Sequence, residues 1–194
     1  MRHFKLEFNE QIVPLFTDST ASVLAPYFSD SKVPVLIDGT LTVWDSLAIC
    51  EYLAENYLSE KGWPKDIHAR AVARSVSAEM HSSFTNLRNE MPMNCRREPS
   101  AIKLTEQALH EVDRVKQIWS KCRSEYSSDG RWLFGEFSIA DAMFAPVALR
   151  FQTYGVELDG REHEYAQTIR SHPDMLSWIE ATRLETETIE QDEL

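Results

Sequence analysis

Residues 31–57 read SKVPVLIDGTLTVWDSLAICEYLAENY, and this stretch decides the fold class. A short apolar run at 35–37 meets the turn pair Asp38-Gly39, and a second run at 41–44 returns from it. Two such runs around Asp-Gly predict a β-hairpin. Val33-Pro34 stands just before the first strand, where proline fixes the backbone and has no N–H to give to a ladder. Asp45 and Ser46 follow the second strand, and both are residue types that cap a helix start. Ile49, Cys50, Leu53, Ala54 and Tyr57 then recur at helical spacing, predicting a helix to about residue 59 with these side chains facing a core.

Upstream, residues 11–15 read as a further strand and 17–22 as a polar connection. Downstream, Gly62-Trp63-Pro64 reads as a linker, and the pattern changes completely after it. Ala69, Val72, Val76, Met80, Phe84 and Leu87 make one long helical stripe. Ile102, Leu109, Val112, Val115, Trp119 and Cys122 mark a second helix. Ser138 and Asp141 have the spacing of a capping box at the head of a third helix, which contains Pro146 and so predicts a kink. His172-Pro173 opens a last helix, with proline at its favoured first position. From Arg183 onward the chain is acidic and polar and is expected to fray. The expectation is α/β plus all-α: an α/β domain at 1–60 and an α-helical domain at 65–194.

Composition excludes several function classes. The net charge of −11 opposes association with nucleic acid or anionic membranes, and neither is expected as a partner. No run approaches the roughly 18 apolar residues of a membrane helix. Arg2, Lys5, Glu7 and Glu10 break up any secretory leader, which points to the cytoplasm. Cys50, Cys95 and Cys122 are odd in number and far apart, which gives no disulfide framework and no metal-binding spacing.

The run at 31–57 resembles the second half of the thioredoxin-like, glutathione-binding domain of glutathione transferases. LFGEFSIADAMFAPVALRF, residues 133–151, resembles the central helix of that family's C-terminal domain. ARAVARSVSAEMHSSFTNLRNEMPMNCRR, residues 69–97, resembles a bacterial subgroup of the same family. The resemblance implies glutathione as co-substrate, a small electrophile as second substrate, a homodimer and no metal. It implies that Pro34 is a cis-proline and that Val33 offers its backbone N–H and C=O to the cysteinyl part of glutathione. Lys32 would pair with the glycine carboxylate, Asp45 with the γ-glutamyl ammonium, and Ser46 with the γ-glutamyl carboxylate. A helix N-terminus suits that carboxylate on physical grounds, since its N–H groups are unpaired and carry a partial positive charge.

By the same resemblance, residues 1–4 match the end of the family's first helix and residues 11–15 its second strand. The position of the catalytic Ser, Tyr or Cys then precedes Met1, and about 20 residues of a strand-loop-helix unit are expected upstream. No catalytic residue is assigned. Conjugation of the glutathione thiolate to an electrophile is the leading function. A glutathione-dependent cis-trans isomerase of the maleylacetoacetate type and a non-catalytic glutathione-binding protein stay open.

Each of these residues also has an ordinary structural reading. Asp45 and Ser46 suffice as a helix cap, and Lys32 as a surface lysine. His81, Arg88 and Met91 are candidates for the electrophile pocket, although such residues more often lie on a solvated face or fill gaps. Glu79 is a candidate for a contact across a dimer interface. Cys50, on the apolar helix face without a second cysteine nearby, reads as inert packing. Asp141 reads as a cap rather than a catalytic acid. Trp119, Trp132 and Trp178 read as core aromatics.

Overall fold

A computed structural model describes residues 1–190 and 193, and the chain divides into two compact units, Met1–Gly62 and Trp63–Leu194. In the first unit, strands β1 (Val35–Asp38) and β2 (Leu41–Trp44) pair antiparallel, with Val35 opposite Trp44 and Asp38 opposite Leu41. Gly39 opens the two-residue connection at φ 58°, a left-handed conformation that costs glycine little. A short helix, α1 (Thr20–Leu24), precedes the hairpin, and α2 (Ser46–Asn56) follows it at once. Ile49, Leu53 and Ala54 form the buried face of α2.

Two expectations for this unit need correction. Residues 11–15 form no strand: a strand exists only through its ladder, and the sheet among the described residues consists of β1 and β2. Tyr57 does not extend the apolar stripe. It is the C-cap of α2, 47 % exposed, and its hydroxyl turns back to Asp38 on the hairpin.

The second unit is helical: α3 (Ile67–Ser82), α4 (Thr85–Glu90), α5 (Glu106–Glu125), α6 (Ile139–Thr153), α7 (Gly160–Arg170) and α8 (Pro173–Thr182). Its centre is Trp119 on α5, whose ring meets Phe144 (6.2 Å) and Phe151 (5.4 Å) of α6 and Tyr165 (5.0 Å) of α7. Helix α7 has no counterpart in the sequence reading. Its apolar signal is the brief Tyr165, Ala166, Ile169 set within a charged stretch. Helix α6 runs through Pro146 without interruption. Leu109 and Trp178, expected inside, are 49 % and 42 % exposed. On α5 the buried side is filled by Ala108, Val112 and Val115, whereas α8 buries only Thr182, so Trp178 lies on a helix that is exposed along most of its length. No helix of the described residues is long and apolar enough to cross a membrane.

The single stripe expected through Leu87 is in fact two helices. Ser82 Oγ donates to Ala78 O (2.9 Å), a back-bond that competes with helix propagation. Ser83 is extended and Phe84 sits at φ 63° before α4 begins. The break keeps both Phe84 and Leu87 buried. Side chains close the opened ends. At the head of α4, Glu111 on α5 accepts from Leu87 N (2.7 Å) and from Asn86 Nδ2 (2.7 Å). Arg88 donates to the carbonyls of Met80 and His81 at the end of α3. Arg150 on α6 donates to the carbonyls of Arg88 and Met91 at the end of α4. Glu90 reaches the head of α5, accepting from Thr105 N (2.9 Å) and Thr105 Oγ1 (2.5 Å).

Asp141 is the most enclosed of these groups, at 0 % exposure. Its Oδ2 accepts from Ser138 N (2.8 Å) and Ser138 Oγ (3.0 Å), completing the capping box, and its Oδ1 accepts from Leu133 N (3.0 Å). Burial nevertheless dominates and pushes its pKa up to about 6, against the pull of those donors. The Tyr165 hydroxyl interacts electrostatically with this carboxylate without completing a hydrogen bond of good geometry.

Asp141→Ala leaves two enclosed N–H groups without an acceptor, each costing about 1–3 kcal/mol. Urea unfolding should therefore show a loss of about 2–6 kcal/mol, at the upper end of single substitutions. The pH dependence has the opposite sign to that of an ordinary paired carboxylate. Because the folded pKa is raised, Asp141's contribution is fully present below the ordinary pKa of 3.8 and is lost as pH rises through about 6. The stability gap between the native chain and the alanine variant should thus widen as pH falls through this window. Arg88→Ala strips the α3 end of its donor and should cost about 1–3 kcal/mol, with lysine at 88 restoring part of it. A loss under about 0.5 kcal/mol, the scale of an ordinary surface change, would show that Arg88 does not hold the break.

Candidate functional site at the head of helix α2

The hairpin register builds the site. Val35 pairs with Trp44 as the last rung of the ladder, so residues 33–34 enter β1, and Asp45 and Ser46 leave β2, at the same end of the hairpin. Facing residues of an antiparallel pair lie about 5 Å apart, so the Val35–Trp44 rung holds the entry to β1 and the exit from β2 close together. The Val33–Pro34 bond is cis. Val33 is exposed at the surface of its unit. Edge-to-face packing of Phe28 on Trp44 (5.4 Å) supports the last residue of β2.

Asp45 sets the direction of the helix. It lies at φ 75° and ψ 126°, sparsely populated for a residue with a side chain, and its Oδ1 accepts from Leu47 N (2.9 Å) and Ala48 N (3.2 Å). The cap thus closes two of the amides at the helix mouth and places a negative charge at the positive end of the helix. Ser46, half-buried, is the first helical residue beside that charge. Lys32 extends from the turn before the cis bond, its side chain 78 % exposed, with Asp30 at 3.7 Å. Lys32, Val33, Pro34, Asp45 and Ser46 thus come from one hairpin and the helix it feeds.

The three pocket candidates lie around the break between α3 and α4. Met91 is fully enclosed. Arg88 is committed to the end of α3, and His81 is partly exposed on that last turn. Glu79 forms a bidentate pair with Arg114 on α5, at 2.7 and 2.8 Å, which ties α3 to α5 within the unit. Cys50 is half-buried and burial raises its thiol pKa. Cys122 is buried and its thiol is pushed up to about 12, chiefly by burial.

One group at this site escaped the sequence reading. Asp38, taken there only as a turn residue, accepts from the hydroxyls of both Tyr52 (2.7 Å) and Tyr57. Those two donors hold its pKa below the usual carboxylate value, and in return the Tyr52 phenol is pushed up to about 12. The trio fastens the far end of the hairpin to α2 and so fixes the helix against the strands. The available signal was a carboxylate at a strand end followed by two tyrosines five residues apart on the next helix.

Comparison with known proteins agrees with this architecture. Residues 1–56 match the glutathione S-transferase N-terminal domain and residues 100–181 the glutathione S-transferase C-terminal domain. A dichloromethane dehalogenase of Methylophilus leisingeri is 38% identical over 60 residues, covering 30% of this chain and 22% of that protein. Glutathione S-transferase T2 of Arabidopsis thaliana is 24% identical over 197 residues, 94% of this chain and 31% of that protein. The chain thus spans between about a fifth and a third of the length of these two curated relatives. Arabidopsis glutathione S-transferase T1 is 26% identical over 205 residues, covering 93% of this chain and 75% of that protein. Among solved structures, a Burkholderia glutathione transferase homolog with bound glutathione superposes with a TM-score of 0.67 at 23% identity, covering 94% of this chain and 86% of that one. Glutathione S-transferase 1-6 of Anopheles dirus superposes at 0.69 with 14% identity, covering 89% and 82%. With both domain types matched in order, on an α/β unit of thioredoxin-like type followed by an all-α unit, the chain belongs to the glutathione S-transferase family.

Proposed function

We propose that the head of α2 and the strand beside it bind glutathione, and that the protein presents the glutathione thiolate to a small electrophile. The observation that supports this reading is the register of Val35 on Trp44, which puts the Val33-Pro34 entry to β1 and the capped head of α2 at the same end of the hairpin. A tripeptide fits that geometry. Its central residue adds to the Val33 backbone as a short strand. Its γ-glutamyl carboxylate meets Ser46 and the helix amides, its ammonium meets Asp45, and its glycine carboxylate meets Lys32. The bound glutathione of the Burkholderia homolog supports the choice of ligand.

The reading also explains how a chain of net charge −11 accepts an anion. Attraction comes from oriented amides within a few ångströms, where the global field is screened. The proposal includes a homodimer, as the family resemblance implies, and a reducing, cytoplasmic setting, which the three free thiols support. The similarity to dichloromethane dehalogenase spans 60 residues, 30% of this chain, and so names no electrophile for this one.

Titration calorimetry with glutathione tests the binding. Ser46→Ala should weaken it about tenfold or more, the scale of one hydrogen bond to a charged group. Asp45→Ala should weaken it further, since it removes both the ammonium partner and the cap. Unchanged affinity in both variants, with helix content retained, would defeat the assignment. Turnover of chlorodinitrobenzene with glutathione then separates conjugation from binding alone.

A further inference from the structure

A cavity of about 420 Å³ opens in the helical unit, lined among others by Cys95, Arg96, Arg97, Leu149, Thr153 and Arg183. Its floor is rigid. The loop at 91–100 is pinned to the end of α6 by Tyr154 Oη donating to Pro92 O (2.9 Å), by Ser100 N donating to Thr153 O (2.9 Å), and by Arg97 over the Tyr154 ring (5.5 Å). Asn94 Oδ1 accepts from the N–H groups of Arg96 and Arg97, each at 3.0 Å, which aims the Arg96 side chain outward.

Arg96 holds the chain's own C-terminal segment. Its Nη1 donates to Glu185 O (2.6 Å) and its Nη2 to Glu187 O (2.7 Å). A planar guanidinium spanning alternate carbonyls grips an extended peptide by its main chain. Asn94 Nδ2 adds a bond to Glu193 Oε2 (2.9 Å). The segment leaves the cavity rim at Arg183 and is caught again on the same rim at Arg96. We infer that residues 184–190, with Glu193, form a detachable strap, clasped by Arg96 and Asn94, that governs access to the thiol-bearing cleft at Cys95.

The strap is made to release. Its clasp consists of exposed hydrogen bonds with little apolar burial, which is the low-stability end of a folded chain. Leu184 is 81 % exposed and anchors nothing. Closed, the strap also acts on the thiol: burial first, and the Glu185 carboxylate second, raise the Cys95 pKa and keep it protonated. Opening relieves the second of these and part of the first, so one motion both uncovers the sulfur and favours its reactive thiolate.

Timed alkylation of the full chain by iodoacetamide near neutral pH, read at each cysteine by mass spectrometry, tests this. Arg96→Ala should speed Cys95 labelling about five- to tenfold, with Cys50 unchanged and Cys122 unlabelled, as expected for release of a local strap. A chain ended after Leu184 should show the same acceleration. Cys122 reports the fold in every sample, since it reacts only when the helical core opens. If Arg96→Ala labels Cys122 as well, the shortened chain decides. A Cys95 rate within twofold of the native chain in a variant whose Cys122 stays silent overturns the proposal.

Discussion

A helix drawn into a protein interior brings its unpaired amides and carbonyls with it, and this constraint organises the molecule. Breaking the stripe between α3 and α4 lets Phe84 and Leu87 both point inward, but it creates two extra helix ends in the middle of a packed unit. They are tolerable because charges of the right sign lie in reach. The anion Glu111 meets an N-terminus, and the cations Arg88 and Arg150 meet C-termini, as the helix dipole prefers. Glu90 and Glu111 exchange these services between α4 and α5, each carboxylate closing the head of the other's helix. The same side chains thus set the relative positions of helices α3 to α6.

This accounting shows why some of the fold was legible in the sequence and some was not. Caps that act within their own turn were readable: Ser138 with Asp141, Asp45 with the amides two and three residues on, and His172 ahead of Pro173. Their partners are a fixed few residues away, so spacing alone carries the signal. The caps that act across the fold were not readable. Nothing near Arg88 announces that it turns back on α3, and Glu111 lies 24 residues from the amide it serves. The position of Arg88 seven residues after His81 pointed to a pocket, and the structure adds a hydrogen-bonding role at the end of α3 that this spacing does not show. Helix α7 was missed for a related reason, since three apolar residues in eleven are too few to declare a helical period.

The candidate site was unusually legible because its geometry is local. Residues 32–34 and 45–46 are about a dozen apart, yet a two-residue turn and a ladder of four pairs put them at the same end of one hairpin. Only the hairpin had to be recognised, and Asp38-Gly39 announces it. The part that could not be read is what holds the site still. Asp38 looks like a turn residue and behaves like a strut, because two tyrosines from the next helix converge on it. A carboxylate that anchors the far end of the hairpin fixes the slope of α2, and with it the direction in which the capped amides point.

The two ends of the chain thus show the same physical device. At the head of α2, amides and a capping carboxylate present fixed partial charges to whatever main chain comes alongside. At the 91–100 loop, a guanidinium presents donors to the carbonyls of the acidic tail. At the loop the partner is held through its backbone, so recognition there does not require attraction between net charges. An acidic protein can then hold an acidic segment of itself, since Arg96 binds the carbonyls of Glu185 and Glu187 rather than their carboxylates. Main-chain recognition is also tolerant of side-chain identity, which leaves the specificity of the clasp to its flanking group, Asn94 on Glu193.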